Sequence, residues 1–133
     1  GARGLMQVMP DTAREVAGRL ELDYDADRLL SDQGYNIQIG SAYLAELLER
    51  YTGSYLLAAA AYNAGPTRVD RWIIDYGDPR IGADPIIWAE SIPFSETRNY
   101  VQRVMEAVFV FRARLTGEVG AQSLPADLQR GRS

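Results

Sequence analysis

From residue 36 to residue 115 the apolar side chains return at helical spacing and nowhere at strand spacing, which confines the chain to an all-α fold. Ile39, Tyr43, Leu44, Leu47, Leu48 and Tyr51 fall on one stripe, and Thr52 and Gly53 close it. Ser54 is placed to cap a helix over residues 55–64. The centre of that helix, residues 57–61, is nearly all small side chains, so neighbouring helices can approach it closely. Gly65 stands where a left-handed C-cap is wanted, and Pro66 where a new helix can open. Val69, Trp72, Ile73 and Tyr76 make the stripe of this next helix, which stops at Gly77. Residues 78–93 carry prolines and a glycine and read as an ordered loop, with at most a short helical turn over 86–90. Ser95 is expected to cap the last helix, whose stripe is Val101, Val104, Met105, Val108, Phe111 and Leu115.

The two ends are less regular. Pro10 can open a first helix, and Thr12 with Glu15 has the spacing of a capping box over residues 12–20. Residues 22–34 are acidic and read as a connecting loop with Leu29 and Leu30 turned inward. Residues 117–133 are polar and aperiodic, and are expected to form a disordered tail or linker.

Composition narrows the chemistry more than the net charge of −4 does. The 133 residues include no cysteine and no histidine, and all 14 basic residues are arginine. Thiol nucleophiles, Ser-His-Asp triads, His or Cys metal sites, Schiff bases and the P-loop lysine are therefore excluded. Carboxylates, tyrosines, hydroxyls, amides and arginines remain, and glycoside cleavage is a chemistry that runs on carboxylates. No metal and no cofactor is expected. No basic stripe offsets the negative charge, which argues against a nucleic-acid partner. The longest apolar run, residues 55–62, is too short to span a membrane. Nothing at the start resembles a signal peptide, so the chain reads as a piece of a longer protein.

Four blocks then match a family in order. Gly1-Ala-Arg-Gly-Leu-Met-Gln-Val-Met-Pro-Asp-Thr-Ala13 resembles the opening block of the soluble lytic transglycosylases. Asn36-Ile37 with Gly40 and Tyr43-Leu44 is similar to their second block. Ala60-Ala-Tyr-Asn-Ala-Gly-Pro66, with Val69 and Trp72, is similar to the third. Glu90-Ser-Ile-Pro-Phe-Ser-Glu-Thr-Arg-Asn-Tyr-Val101 resembles the fourth. The resemblance implies a lysozyme-like helical domain, of the goose-type lysozyme and transglycosylase kind, truncated at its N-terminus and occupying residues 1–116. It implies cleavage of the β-1,4 bond between N-acetylmuramic acid and N-acetylglucosamine in peptidoglycan. The sugar's own 6-hydroxyl attacks there, leaving a 1,6-anhydro end. The implied location is the periplasm or cell envelope.

In the family a single glutamate, followed by serine, serves as general acid and then general base, and it lies shortly before the first block. It is thus expected upstream of Gly1. Glu90 also precedes a serine but belongs to the fourth block. Glu15, Glu46, Glu49 and Glu106 lie between apolar stripes and are expected to be solvated. The resemblance carries over supporting catalytic roles for Tyr62 and Glu96, and substrate-binding roles for Gln7, Met9 and Asn63. Gln7 offers an amide suited to an acetamido group. Met9 has two readings, an apolar cleft wall or plain core, and Asn63 has two, a sugar ligand or a turn-closing amide. For Tyr62 the alternative is a buried structural tyrosine, and for Glu96 a helix-capping carboxylate. Arg98 and Tyr100 are expected to fix the loop and the last helix. Two other functions stay open at this point: a hydrolase of the same fold, and a non-catalytic module that binds wall glycan.

Overall fold

The computed structural model describes residues 9–116, which are helical and contain no strand. Among them are seven helices: α1 Pro10–Arg19, α2 Ala26–Ser31, α3 Gln33–Arg50, α4 Tyr55–Ala64, α5 Pro66–Tyr76, α6 Pro85–Glu90 and α7 Ser95–Thr116. The expected tail, residues 117–133, lies outside the described residues. The chain divides inside α3 into two compact units, Gly1–Glu46 and Leu47–Ser133.

In the first unit, α1 starts at Pro10, where a missing backbone N–H costs nothing. Met9 takes the N-cap position with extended backbone and no side-chain hydrogen bond, so the Thr12–Glu15 capping box does not form. Thr12 is already inside the first turn. Ala13, Val16 and Ala17 are fully buried, at the spacing that puts them on one face.

The expected loop over residues 22–34 is also corrected, because it contains α2. The signal was local: the Asp25 side chain accepts from the backbone N–H groups of Asp27 and Arg28. Leu29 is fully buried, as its pattern suggests. The Leu30 side chain lies outside the described residues. Asp32 then accepts from Tyr35 N and starts α3 at Gln33, earlier than the apolar stripe indicates. Two buried polar residues join these pieces. The Tyr35 hydroxyl donates to Asp23 O and accepts from Asp25 N, while the Asn36 amide donates to Leu29 O at 3.1 Å.

The second unit is organised around α4. Ser54 Oγ accepts from Leu57 N at 3.2 Å, the cap that the sequence indicates. Leu56, Leu57, Ala58, Ala59, Ala60 and Ala61 are all buried. Both faces of the helix are covered because α7 and α5 pack against it. Gly65 adopts φ +95° and ψ 146°, a glycine conformation but an extended one rather than the left-handed helical cap. A Cβ there would meet nothing within 4 Å, so the backbone angle and not space demands glycine.

α5 buries Val69 and Trp72, but Tyr76 is exposed, so its stripe ends a turn earlier than expected. Asp84 caps α6, the short helical turn foreseen in the loop. The last helix departs from expectation at both ends. Ser95 is its first residue and not its cap, since the carbonyl of Phe94 accepts from Arg98 N. Val101 and Met105 are buried, whereas Phe111 and Leu115 of the same stripe are 62% and 70% exposed.

Candidate functional site

A helix as buried as α4 leaves its polar ends to be explained, since buried polar groups need partners. Its last turn carries Tyr62 and Asn63. Tyr62 is half-buried and not sealed in the core; Asn63 is exposed. Asn63 Oδ1 accepts from the Thr97 hydroxyl at 2.6 Å. Thr97 is 2% exposed and sits in the first turn of α7. One hydrogen bond thus joins the C-terminal end of α4 to the N-terminal end of α7, across 34 positions of sequence. It gives Asn63 a role that neither reading of the sequence contains. The carbonyl oxygen is used to lock two helices together, not to close its own turn. The amide nitrogen has no partner among the described residues.

Glu96, next to Thr97, is exposed and has no ion-pair partner among the described residues. A carboxylate in the first turn of a helix interacts favourably with the aligned peptide dipoles. The structure therefore brings the Tyr62–Asn63 turn to the start of α7, where Glu96 lies. Met9 belongs to the first unit, where it is 50% exposed. Gln7 lies outside the described residues.

The neighbouring residues behave as supports. Arg98 Nη1 donates to Ile92 O at 2.8 Å and fixes the segment entering α7. Tyr100 is half-buried, and burial raises its phenol pKa, with Arg103 acting in the opposite direction. Every glutamate among the described residues is exposed or half-exposed. None has the dry setting in which one carboxyl can both give and take a proton. Thr97 is the residue that sequence reasoning missed. Its signal was a hydroxyl within Ser-Glu-Thr-Arg, one position from a candidate carboxylate.

A second polar cluster joins the end of α3 to α5. The Tyr51 hydroxyl donates to Asp70 Oδ1 at 2.9 Å, and Arg50 pairs with the other oxygen of Asp70. Burial, and then the hydrogen bond to Asp70, push the Tyr51 phenol well above its usual pKa of 10. The helix to which Tyr51 is attached is closed by Thr52 at φ +55° and Gly53, as the sequence indicates. Arg80 Nη1 adds a 3.4 Å contact to the Thr52 hydroxyl while gripping Asp78 with Nη2 at 2.8 Å.

The family model of the transglycosylase SLT domain matches residues 1–83, and that of the soluble lytic transglycosylase helical domain matches residues 91–119. The chain belongs to the transglycosylase SLT domain family. The soluble lytic murein transglycosylase of Salmonella typhimurium is 42% identical over 106 residues, which cover 79% of this chain and 16% of that protein. Its counterpart in Escherichia coli K12 is 41% identical over the same shares. The chain thus spans about a sixth of the length of these curated relatives.

Among solved structures, the 70 kDa soluble lytic transglycosylase of Escherichia coli superposes with a TM-score of 0.77 at 35% identity, covering 99% of this chain and 21% of that one. The lytic transglycosylase Slt of Pseudomonas aeruginosa gives 0.74 at 38% identity, covering 90% and 19%. The SLT domain described here is accordingly all-α and lysozyme-like, as the four blocks imply.

Proposed function

We propose that the protein carrying this SLT domain is a peptidoglycan lytic transglycosylase of the cell envelope. It cleaves the bond between N-acetylmuramic acid and N-acetylglucosamine and leaves 1,6-anhydromuramoyl ends. The observation that supports the reading is the 2.6 Å bond from Thr97 to Asn63, which joins the end of α4, with Tyr62 in its last turn, to the start of α7, with Glu96 in its first. An exposed amide and carboxylate with a half-buried phenol at such a junction suit a polyhydroxylated, acetamido-bearing ligand. The match to the SLT family and the named activity of the relatives support the same substrate class. Among the described residues, no helix is long and apolar enough to cross a membrane.

Chemically, a carboxylic acid donates its proton to the glycosidic oxygen while the C6 hydroxyl of the muramic acid bonds to C1. The resulting carboxylate then takes the proton of that hydroxyl. We assign this acid/base to a glutamate outside the 133 residues, because no described glutamate is desolvated and the family's Glu-Ser position precedes the first block. Tyr62 and Glu96 are assigned to hydrogen-bond and stabilise the reacting sugar, and Gln7, Met9 and Asn63 to hold the strand.

The test is digestion of purified sacculi with the full-length protein, read by mass spectrometry of the released muropeptides. Anhydro ends are expected; reducing ends would make the protein a muramidase, and binding without turnover a non-catalytic module. The 133-residue chain alone is expected to release nothing, since losing a general acid/base typically costs roughly two to four orders of magnitude in rate.

A further inference from the structure

Two residues beside this site are held in a way that packing alone does not require. Phe94 is 40% exposed, immediately before α7 and two positions before Glu96. Arg68 and Trp72 are an i, i+4 pair on α5, and they clamp the Phe94 ring from two directions. The Arg68 guanidinium carbon lies 4.7 Å from the ring centroid. The Trp72 ring meets Phe94 at 5.6 Å with an interplanar angle of 85°, and Trp72 itself is 5% exposed. An exposed arginine is thereby held against an aromatic ring that also meets the buried Trp72 edge-on.

The neighbouring arginines are engaged differently. Arg50, Arg71 and Arg80 each have an aspartate partner. Arg68 has none among the described residues. A guanidinium stacked on a ring is attracted by the ring's electrons yet keeps its N–H edge free. That edge is a fork that fits a planar carboxylate with two parallel hydrogen bonds. The stack also restricts the side chain beforehand, so less freedom is lost when a ligand binds.

We propose that Arg68, held on Phe94, is a carboxylate-binding subsite for the peptide stem of peptidoglycan. This rests on the transglycosylase reading above. The chemistry of that substrate selects the occupant. In a stem-bearing strand the sugars are neutral and the lactyl group is tied up as an amide. The ionised carboxylates belong to the stem. A cation held on Phe94, two positions before Glu96, therefore distinguishes stem-bearing from bare glycan. Glu96, two positions after Phe94 and of opposite sign, disfavours a second anion at its own position.

The test uses calorimetric binding to the full-length protein and to Arg68→Gln, Arg68→Lys and Phe94→Leu. The probes are a disaccharide tetrapeptide, its methyl-esterified form, and the peptide-stripped disaccharide with a free lactyl carboxylate. Arg68→Gln is expected to weaken tetrapeptide binding about tenfold, as for a lost charge-assisted hydrogen bond at a partly solvated site. Esterification should weaken the wild type equally and the variant no further. Arg68→Lys should recover part of the loss, and Phe94→Leu should reproduce part of it with Arg68 present, which covers the case in which Arg68→Gln does not fold.

Unchanged binding by Arg68→Gln, or an undiminished effect of esterification in it, overturns the subsite. An equal Arg68-dependent loss with the peptide-stripped disaccharide moves the contact to the lactyl group and overturns the assignment to the stem. Turnover of sacculi, measured in parallel, separates the two readings. Cleavage without Arg68-dependent binding sinks only the subsite, Arg68-dependent binding without cleavage sinks only the transglycosylase, and binding of none of the probes sinks both.

Discussion

α4 and the second half of α7 are both apolar in sequence, yet only one of them is covered. Leu56 to Ala61 are at most 4% exposed, while Phe111 and Leu115 are 62% and 70% exposed. The two helices pack on each other, so the difference is not one of partnership. α4 is ten residues long and has neighbours along its length; α7 runs for 22 residues and extends past them. A helical stripe reports which face is apolar. How far along the axis that face finds a neighbour is a separate matter.

Truncating a side chain in each region should break the comparison if it is wrong. Leu57→Ala leaves a cavity in the covered region and should cost about 2–5 kcal/mol. Leu115→Ala should change stability by less than about 0.5 kcal/mol. Urea denaturation of both variants checks the pair, and equal losses would mean that the end of α7 is covered in solution.

Where the two helices join through Asn63 and Thr97, the side chains should matter for turnover and little for folding. In the full-length protein Tyr62→Phe and Glu96→Gln are each expected to lower turnover roughly ten- to a thousandfold, since hydrogen bonds near a reacting centre are strengthened by exclusion of water. Thermal midpoints should stay near the wild-type value. A large fall in midpoint with proportionate loss of activity would make these residues structural.

The starts of the helices allow a finer contrast. Ser54→Ala removes a cap and should cost about 1 kcal/mol. Ser95→Ala should be nearly silent, because the first bond of α7 is accepted by the Phe94 carbonyl. Chemical denaturation curves distinguish them, and equal costs would restore Ser95 as the cap.

The smallest effect concerns pH. The Tyr51 phenol has a folded-state pKa raised above its unfolded value of 10. The preference for the protonated form therefore contributes stability that is fully present below pH 10 and is lost as pH rises above it. Tyr51→Phe should cost about 1 kcal/mol at neutral pH through the lost bond to Asp70, and should flatten the alkaline fall. The measurement is a set of denaturation midpoints from pH 7 to 11; an alkaline fall as steep in the variant would leave Tyr51 without a part in it.

Much of the framework was legible from residues alone. Ser54, Gly65 and Pro66 marked the limits of α4 and α5 because caps and turns are local, needing only a few adjacent residues. Asp25 was an equally local signal for α2, but six residues carry too short a stripe to stand out from an acidic run. Of the site, Tyr62, Asn63 and Glu96 were legible only through the family resemblance. Thr97 was not, since nothing in its own neighbourhood says that a hydroxyl there meets an amide 34 positions away.

By itself, the sequence determined the helical class, most helix limits, and which chemistries lack their residues. Those follow from periodicity, from backbone preferences and from the presence or absence of functional groups, all of which are properties of short stretches. Only the tertiary structure decided that Asn63 spends its carbonyl on Thr97, that Arg68 and Trp72 close on Phe94, and that the end of α7 stays uncovered. Each of these depends on where separate helices come to lie, and that is settled by burying their apolar faces together, a non-directional force that no single segment can satisfy alone.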